Sequence, residues 1–412
     1  MKKMILPNRA VDILRKFTMR PIRTQPELQL LLGISPPTAF RAVDQLRDMG
    51  VLQNGKENFP DGRGRPPTTI TLNPKGLCIF ALVIRSDETQ LYFIDALGQI
   101  QECVHIDVTS KESYEIAIKK YSKEIKRLLD LASQSFAVTV GIGVSFAGWV
   151  DVKTGIISTP SRFLDWHNRD LARDLSNLTG LQCFIDNDAV SLTRAIFWFS
   201  PKVISNSFAL IYMDFGLGTG YCLQNKIYTG QSHISAGLAH TNLFGWSNAP
   251  CHCGQIGCLE TVLSIPGVIK RAEALNISLE GIDPNISLEG IDPTILTKTL
   301  IAMEREAQTG NQVVLELLGD VGKKAGIVGA SICRILDLPM IVFAGELPEL
   351  SEVLWNFLRE EMKNQCAFFK SPISLYRLKD VLEHELPEAL SASAVALEGL
   401  YKSRLITVLN DR

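Results

Sequence analysis

No apolar run in the 412 residues approaches the ~18 that a membrane-spanning helix needs, so the sequence offers the bilayer nothing to hold. The opening Met1-Lys2-Lys3-Met4-Ile5-Leu6-Pro7-Asn8 has the charge of a secretory leader but no apolar core behind it, which reads as a cytoplasmic protein with no membrane partner. Cysteine is sparse, nine in all. Six are scattered (Cys78, Cys103, Cys183, Cys222, Cys333 and Cys366) and read as small buried apolar residues. Net charge is nearly absent, −2 for the whole chain, but it is unevenly placed. Residues 1–70 hold 12 Lys/Arg against 6 Asp/Glu, and the remainder holds 30 against 38. A basic first segment on an acidic body is the arrangement expected of a DNA-binding head.

What is present is ample apolar material, 46% of residues, in a chain long enough for two or three domains at roughly 100–200 residues each. Val11, Ile13, Leu14 and Phe17 recur at helical spacing over 8–19. Thr24 and Glu27 form a capping-box pattern for a second helix, with Pro26 in its first turn and Gly33 at its end. Ser35 then starts a third as N-cap, followed by Pro36, and this helix runs to about Met49 before Gly50. Short helices, a glycine turn and a third helix make a helix-turn-helix. Val51-Leu52-Gln53 and Thr68–Leu72 can pair as the strands of a wing, and the boundary falls near Asn73-Pro74-Lys75-Gly76.

The body alternates apolar strand-like runs (Leu77–Ile84, Leu91–Asp95, Val138–Val144, Phe208–Asp214, Met340–Ala344) with helical stretches at 113–133, 167–178, 188–199, 311–335 and 351–365. Such alternation is the mark of an α/β fold. Asn276–Pro284 is repeated without change as Asn285–Pro293. Two copies are too few for a solenoid and read as a duplicated surface loop.

In the third helix, Phe40, Val43 and Leu46 are the expected inward stripe, and Thr38, Arg41, Gln45 and Asp48 the opposite face. Recognition helices put their N-terminal residues on base edges. Thr38, Arg41 and Gln45 are therefore the direct-readout candidates, and Ser35 at the helix start could hold a phosphate. The wing segment Gly62-Arg63-Gly64-Arg65-Pro66-Pro67 offers two arginines on an extended backbone suited to a minor groove; alone it could equally be a solvated basic loop.

The remaining three cysteines cluster at Cys251, Cys253 and Cys258, eleven residues and more after His240. In a reducing compartment such a cluster reads as metal before disulfide. Structural zinc takes four ligands, often three Cys and one His, and His240 or His252 could complete the set. His252 lies between two ligands, so its side chain is expected to point away. The bland alternative is three unligated thiols.

Gly237-Leu238-Ala239-His240 followed by Cys251–Glu260 resembles the ROK family of repressors, open reading frames and sugar kinases, as do Gly141–Asp151, Thr159-Pro160, Trp166 and Asp186-Asn187-Asp188-Ala189. The N-terminal segment is similar to the family's repressor branch. The resemblance implies a winged helix-turn-helix over 1–72, a two-lobed actin-like α/β body (76–190 with 380–412, and 191–379), a structural zinc on His240, Cys251, Cys253 and Cys258, and a homodimer or homotetramer. It implies sugar or sugar-phosphate contacts from Gly148, Asn187, Asp188, His240 and Glu260, and a double-stranded DNA operator as partner. In family kinases the aspartate matching Asp188 is the general base.

The departures are as telling. The first phosphate loop reads Ile84-Arg85-Ser86-Asp87-Glu88-Thr89, without its glycines. The second, Asp214–Gly220, gains Asp214, and the third reads Ala344-Gly345-Glu346. Gly237 and Ser161 stand where a sugar-binding glutamate and asparagine usually sit. The expectation is a regulator of carbohydrate genes without phosphoryl transfer; the alternative is an ATP-dependent sugar kinase with an appended DNA-binding domain.

Overall fold

The computed structural model describes residues 2–19, 22–55, 69–159, 163–200, 205–231, 237–277, 293–367 and 372–409. Residues 278–292 of the duplicated segment, Arg63, Arg65, Pro160 and Ser161 lie outside the described residues. The chain forms two compact units, one of residues 1–187, 198–200 and 386–412, the other of 188–197 and 201–385.

The first unit begins with strand β1 (Lys2–Ile5), then helix α1 (Asn8–Met19), β2 (Ile22–Thr24), α2 (Gln25–Leu32) and α3 (Pro36–Asp48). Strands β3 (Leu52–Asn54) and β4 (Thr69–Leu72) follow, and β4 pairs antiparallel with both β2 and β3. The helix limits follow from local chemistry. Thr24 and Glu27 close a reciprocal capping box, and Gly33 ends α2 in the left-handed region at φ 59°. Ser35 occupies the N-cap of α3, but its hydroxyl makes no cap bond; it lies 2.9 Å from the Thr38 hydroxyl instead.

The inward stripe of α3 differs from expectation. Ala39, Ala42, Val43 and Leu46 are buried, and Phe40 is exposed. Two alanines at the contact let α3 sit close to its neighbours, and a phenyl ring is not needed to fill the space.

Leu14, Phe17, Leu46 and Val51 share one continuous apolar core with Leu77, Val138, Leu397 and Leu400 of the adjoining α/β layers. The contact is pinned at the edges. β1 pairs antiparallel with strand Leu405–Val408, and the Leu6 N–H donates to the Arg404 carbonyl at 2.7 Å. The Arg15 guanidinium lies 4.9 Å over the Trp198 ring, which stacks on Tyr401.

The large sheet of this unit centres on β5 (Leu77–Ile84), β6 (Thr89–Asp95), β7 (Ile100–Ile106) and, after helix α4 (Tyr114–Ser133), β8 (Val138–Phe146). All eight residues of β5 and all nine of β8 are buried, as continuous apolar runs in central strands must be. β5 runs parallel to β8, and strand Cys183–Asn187 runs parallel along the far side of β8. Helix Pro387–Ser403 lies on the sheet so closely that a Cβ on Gly143 would stand 1.9 Å from the Ala392 carbonyl oxygen.

The second unit holds a five-stranded sheet in the order Lys226–Tyr228, Leu217–Leu223, Phe208–Met213, Met340–Ala344, Ser374–Arg377. Helices Gln312–Leu336 and Glu352–Gln365 pack together beside it. Gly322 and Gly326 make the approach possible: a Cβ on Gly322 would meet the Leu354 carbonyl at 2.3 Å. No helix among the described residues is long and apolar enough to cross a membrane.

Candidate functional site

On the head, the N-terminal half of α3 presents exposed Pro36, Pro37, Phe40 and Arg41, with Thr38 and Gln45 half-buried beside them. The Arg41 Nε donates to the Pro37 carbonyl at 3.3 Å, so the guanidinium lies along its own helix, within reach of whatever meets that face. The Ser35 hydroxyl is engaged with Thr38. Sequence reasoning missed Phe40, because a 40–43–46 stripe and a 39–42–43–46 stripe fit the helical period equally and alanine gives a weak apolar signal.

The cluster of His240, Cys251, Cys253 and Cys258 lies in the second unit. A short 3-10 turn, Gly237–His240, delivers the imidazole, and the loop from Cys251 to Cys258 delivers three thiols. The Cys251 N–H donates to the Gln255 carbonyl at 2.8 Å and closes the loop, and Gly254 and Gly257 take φ of 88° and 78°, which the tight loop requires. The Cys251 Sγ lies 3.5 Å from the His240 Nδ1, and the Cys253 and Cys258 sulfurs are 3.6 Å apart. One ligand atom from each of these four residues lies within 4.8 Å of every other, so the group could hold a metal ion. Burial pushes the Cys251 thiol up to about 12 and raises that of Cys258 as well. A dication among the sulfurs would offset that cost, which is the general reason buried thiolates accompany metals.

His252 does not swing clear of the cluster. Its Nδ1 is 3.9 Å from the Cys251 sulfur and 2.9 Å from a Glu260 carboxylate oxygen. The other Glu260 oxygen accepts the Leu217 N–H at 3.2 Å. Burial pushes the Glu260 carboxyl up, but the His252 hydrogen bond and the two imidazole charges outweigh it and hold the group below its ordinary value. Burial lowers His240, against the pull of Glu260. The metal loop, His240 and Glu260 thus form one connected polar group in this unit. In the first unit Asn187 Nδ2 donates to the Gly148 carbonyl at 3.1 Å, joining two more of the expected sugar contacts. Asp188 opens helix Asp188–Phe199, its Oδ1 accepting the Ala189 N–H at 2.8 Å.

The stretches that match the kinases' phosphate loops are each held by hydrogen bonds or ion pairs of this chain. Ile84–Thr89 is the turn between β5 and β6, with the Arg85 N–H bonded to the Glu88 carbonyl and its guanidinium 3.7 Å from Asp87. Asp214 is buried in the next hairpin, its Oδ1 accepting the Phe215 N–H at 2.8 Å. The glycine retained at Gly220 serves packing, since a Cβ there would come 1.9 Å from the Thr193 hydroxyl. Glu346 accepts a hydrogen bond from Thr297 at 2.6 Å, which fixes its carboxylate beside Gly345.

A sequence profile of the ROK family matches residues 81–379. This chain belongs to the ROK family. The xylose repressor of Caldicellulosiruptor bescii is 22% identical over 375 residues, 89% of this chain and 91% of its own. A solved ROK family transcriptional regulator, a homolog of the E. coli MLC protein, superposes with a TM-score of 0.76 at 17% identity over 96% of each chain. The ROK hexokinase of Thermus thermophilus gives 0.63 at 20% identity, covering 79% of this chain and 99% of its own. At these identities the superpositions show the fold, a mixed α/β body of the actin-like kind. The regulator's match extends over nearly the whole of this ROK chain, whereas the hexokinase is used up while part of it is still uncovered.

Proposed function

We propose that this chain is a sequence-specific DNA-binding regulator, a repressor of carbohydrate uptake or catabolism genes, whose ROK body binds a sugar or sugar derivative and has given up phosphoryl transfer. The observation that carries the reading is the head: three helices and a three-stranded sheet, with the exposed start of α3 and Arg41 at its surface. That arrangement supports the reading of a winged helix-turn-helix with α3 as its recognition helix. In this reading 1–72 is the DNA-binding domain, 76–190 with 380–412 the first lobe and 191–379 the second. Ser35, Thr38, Arg41, Gln45, Arg63 and Arg65 meet DNA. Gly148, Asn187, Asp188, His240 and Glu260 contact the sugar, whose hydroxyls both donate and accept. His240, Cys251, Cys253 and Cys258 hold a zinc ion, and four protein ligands leave no open position for a catalytic water. The protein works in the cytoplasm as a homodimer or homotetramer, and the sugar acts by binding one state better than the other.

Phosphoryl transfer depends on backbone N–H groups, cations and positioning around the phosphates. Here the first loop has no glycine and carries Asp87 and Glu88, the second buries Asp214, and the third carries Glu346. The test is a selection from a random duplex pool with the full chain, in which a defined motif should be enriched. A parallel ATP-consumption assay over a hexose panel should show no turnover. Phosphorylation of any hexose, abolished in Asp188→Asn, would establish the kinase reading in its place.

A further inference from the structure

Phe40 keeps 53% of its surface exposed while Ala39, Ala42, Val43 and Leu46 of the same helix are buried. Its companions in the shallow groove between α2 and α3 are Gln25, Gln29, Pro36, Pro37 and Arg41. Apart from the two prolines, the other residues lining the groove are polar or charged, and the fold leaves an exposed aromatic side chain at the front of α3. The acidic residues of that helix stand in its second half. Asp44 is tied to Arg47 at 3.3 Å, and the first turn holds no acidic residue. The front half therefore combines a guanidinium and an apolar ring, in a segment whose charge is positive overall.

These features match one surface. Phosphate and sugar have no use for a phenyl ring. In the major groove of B-DNA the one apolar group on the base edges is the thymine C5-methyl, and phenylalanine is among the side chains that contact it. Arg41 lies next to Phe40 and suits the guanine O6/N7 edge. Resting on the DNA-regulator reading above, we propose that Phe40 is a specificity-determining residue that reads a thymine methyl group on a base pair neighbouring the guanine read by Arg41. The ring is left out of the core because its partner is the operator.

The test deletes the methyl and nothing else. The motif recovered by selection with the full chain is remade with each thymine replaced singly by deoxyuracil, and binding is measured by fluorescence anisotropy. One thymine beside the Arg41-dependent guanine is expected to lose about fourfold in affinity when demethylated, the worth of one buried methyl group. Phe40→Ala should bind without distinguishing thymine from uracil there, and Phe40→Leu should retain part of the distinction. Because the ring is exposed, the thermal midpoint of Phe40→Ala should match the parent, so a binding change is not a folding change. A motif in which every thymine tolerates uracil, or a methyl preference that persists in Phe40→Ala, overturns the proposal and leaves the regulator reading intact. Failure to enrich any motif overturns the regulator reading, and this one with it.

Discussion

Cys253→Ser protein is expected to purify without zinc and to melt well below the parent chain. The substituted residue is exposed, so the change leaves no core cavity and isolates the loss of a ligand. Structural zinc contributes an apparent ~10–16 kcal/mol in small zinc-finger peptides. Losing even a third of that would lower the midpoint of a unit of this size by roughly 10 °C. His252→Ala should keep its metal, because His252 turns its Nδ1 to Glu260 at 2.9 Å while the other four residues converge. Metal analysis and calorimetry of the two variants decide the matter. Zinc retained in Cys253→Ser, or absent from His252→Ala, would show that the ligand set is a different one. The metal-free variant should also respond less to a sugar effector, since the ligand set ties His240 to the loop that leads directly into Glu260.

Affinity for the operator should fall by about 10³–10⁵ between 50 and 200 mM salt, if the head neutralises some six to ten phosphates. The surplus of Lys and Arg over Asp and Glu in residues 1–70, 12 against 6, is the source of that expectation. Arg63→Ala combined with Arg65→Ala should weaken binding to all sequences alike and make the salt slope shallower. Arg41→Ala should instead cost about 1–3 kcal/mol on the preferred motif and relax choice at one base pair. Anisotropy titrations at several salt concentrations read both effects. A flat salt dependence, or a double variant indistinguishable from the parent, would remove the head from DNA binding.

Much of this architecture is written locally in the chain. Leu77–Ile84 and Met340–Ala344 are strands at the limits that their apolar runs set, since a strand buried on both faces needs no polar alternation. Thr24 with Glu27 and Gly33 bound α2 by capping chemistry that any reader can see. The helix Pro387–Ser403 is hidden for a physical reason: its residues from Ala389 to Leu397 are all buried, so it has no polar face to produce a period. The same limit applies to the head. Periodicity tells that Leu14 and Phe17 face inward, but not that they face Leu397 and Leu400, nearly four hundred residues away. The convergence of His240 with the three thiols was legible because sulfur and imidazole are rare and clustered in the chain. The tie between His252 and Glu260 was not, since it depends on how the loop folds back upon the helix that Glu260 begins.

The pairing of Lys2 with Val408 and of Ile5 with Leu405 has a consequence for how the protein is made. Residues 2–5 are made roughly four hundred residues ahead of the partners they pair with. At about 5–20 residues per second the interval is on the order of tens of seconds. Throughout it, α1 lacks the Leu397 and Leu400 surface that completes its core. The head thus reaches its finished form only after residues 397–408 have been made, and a chain terminated before them carries a head whose core and edge strand are incomplete.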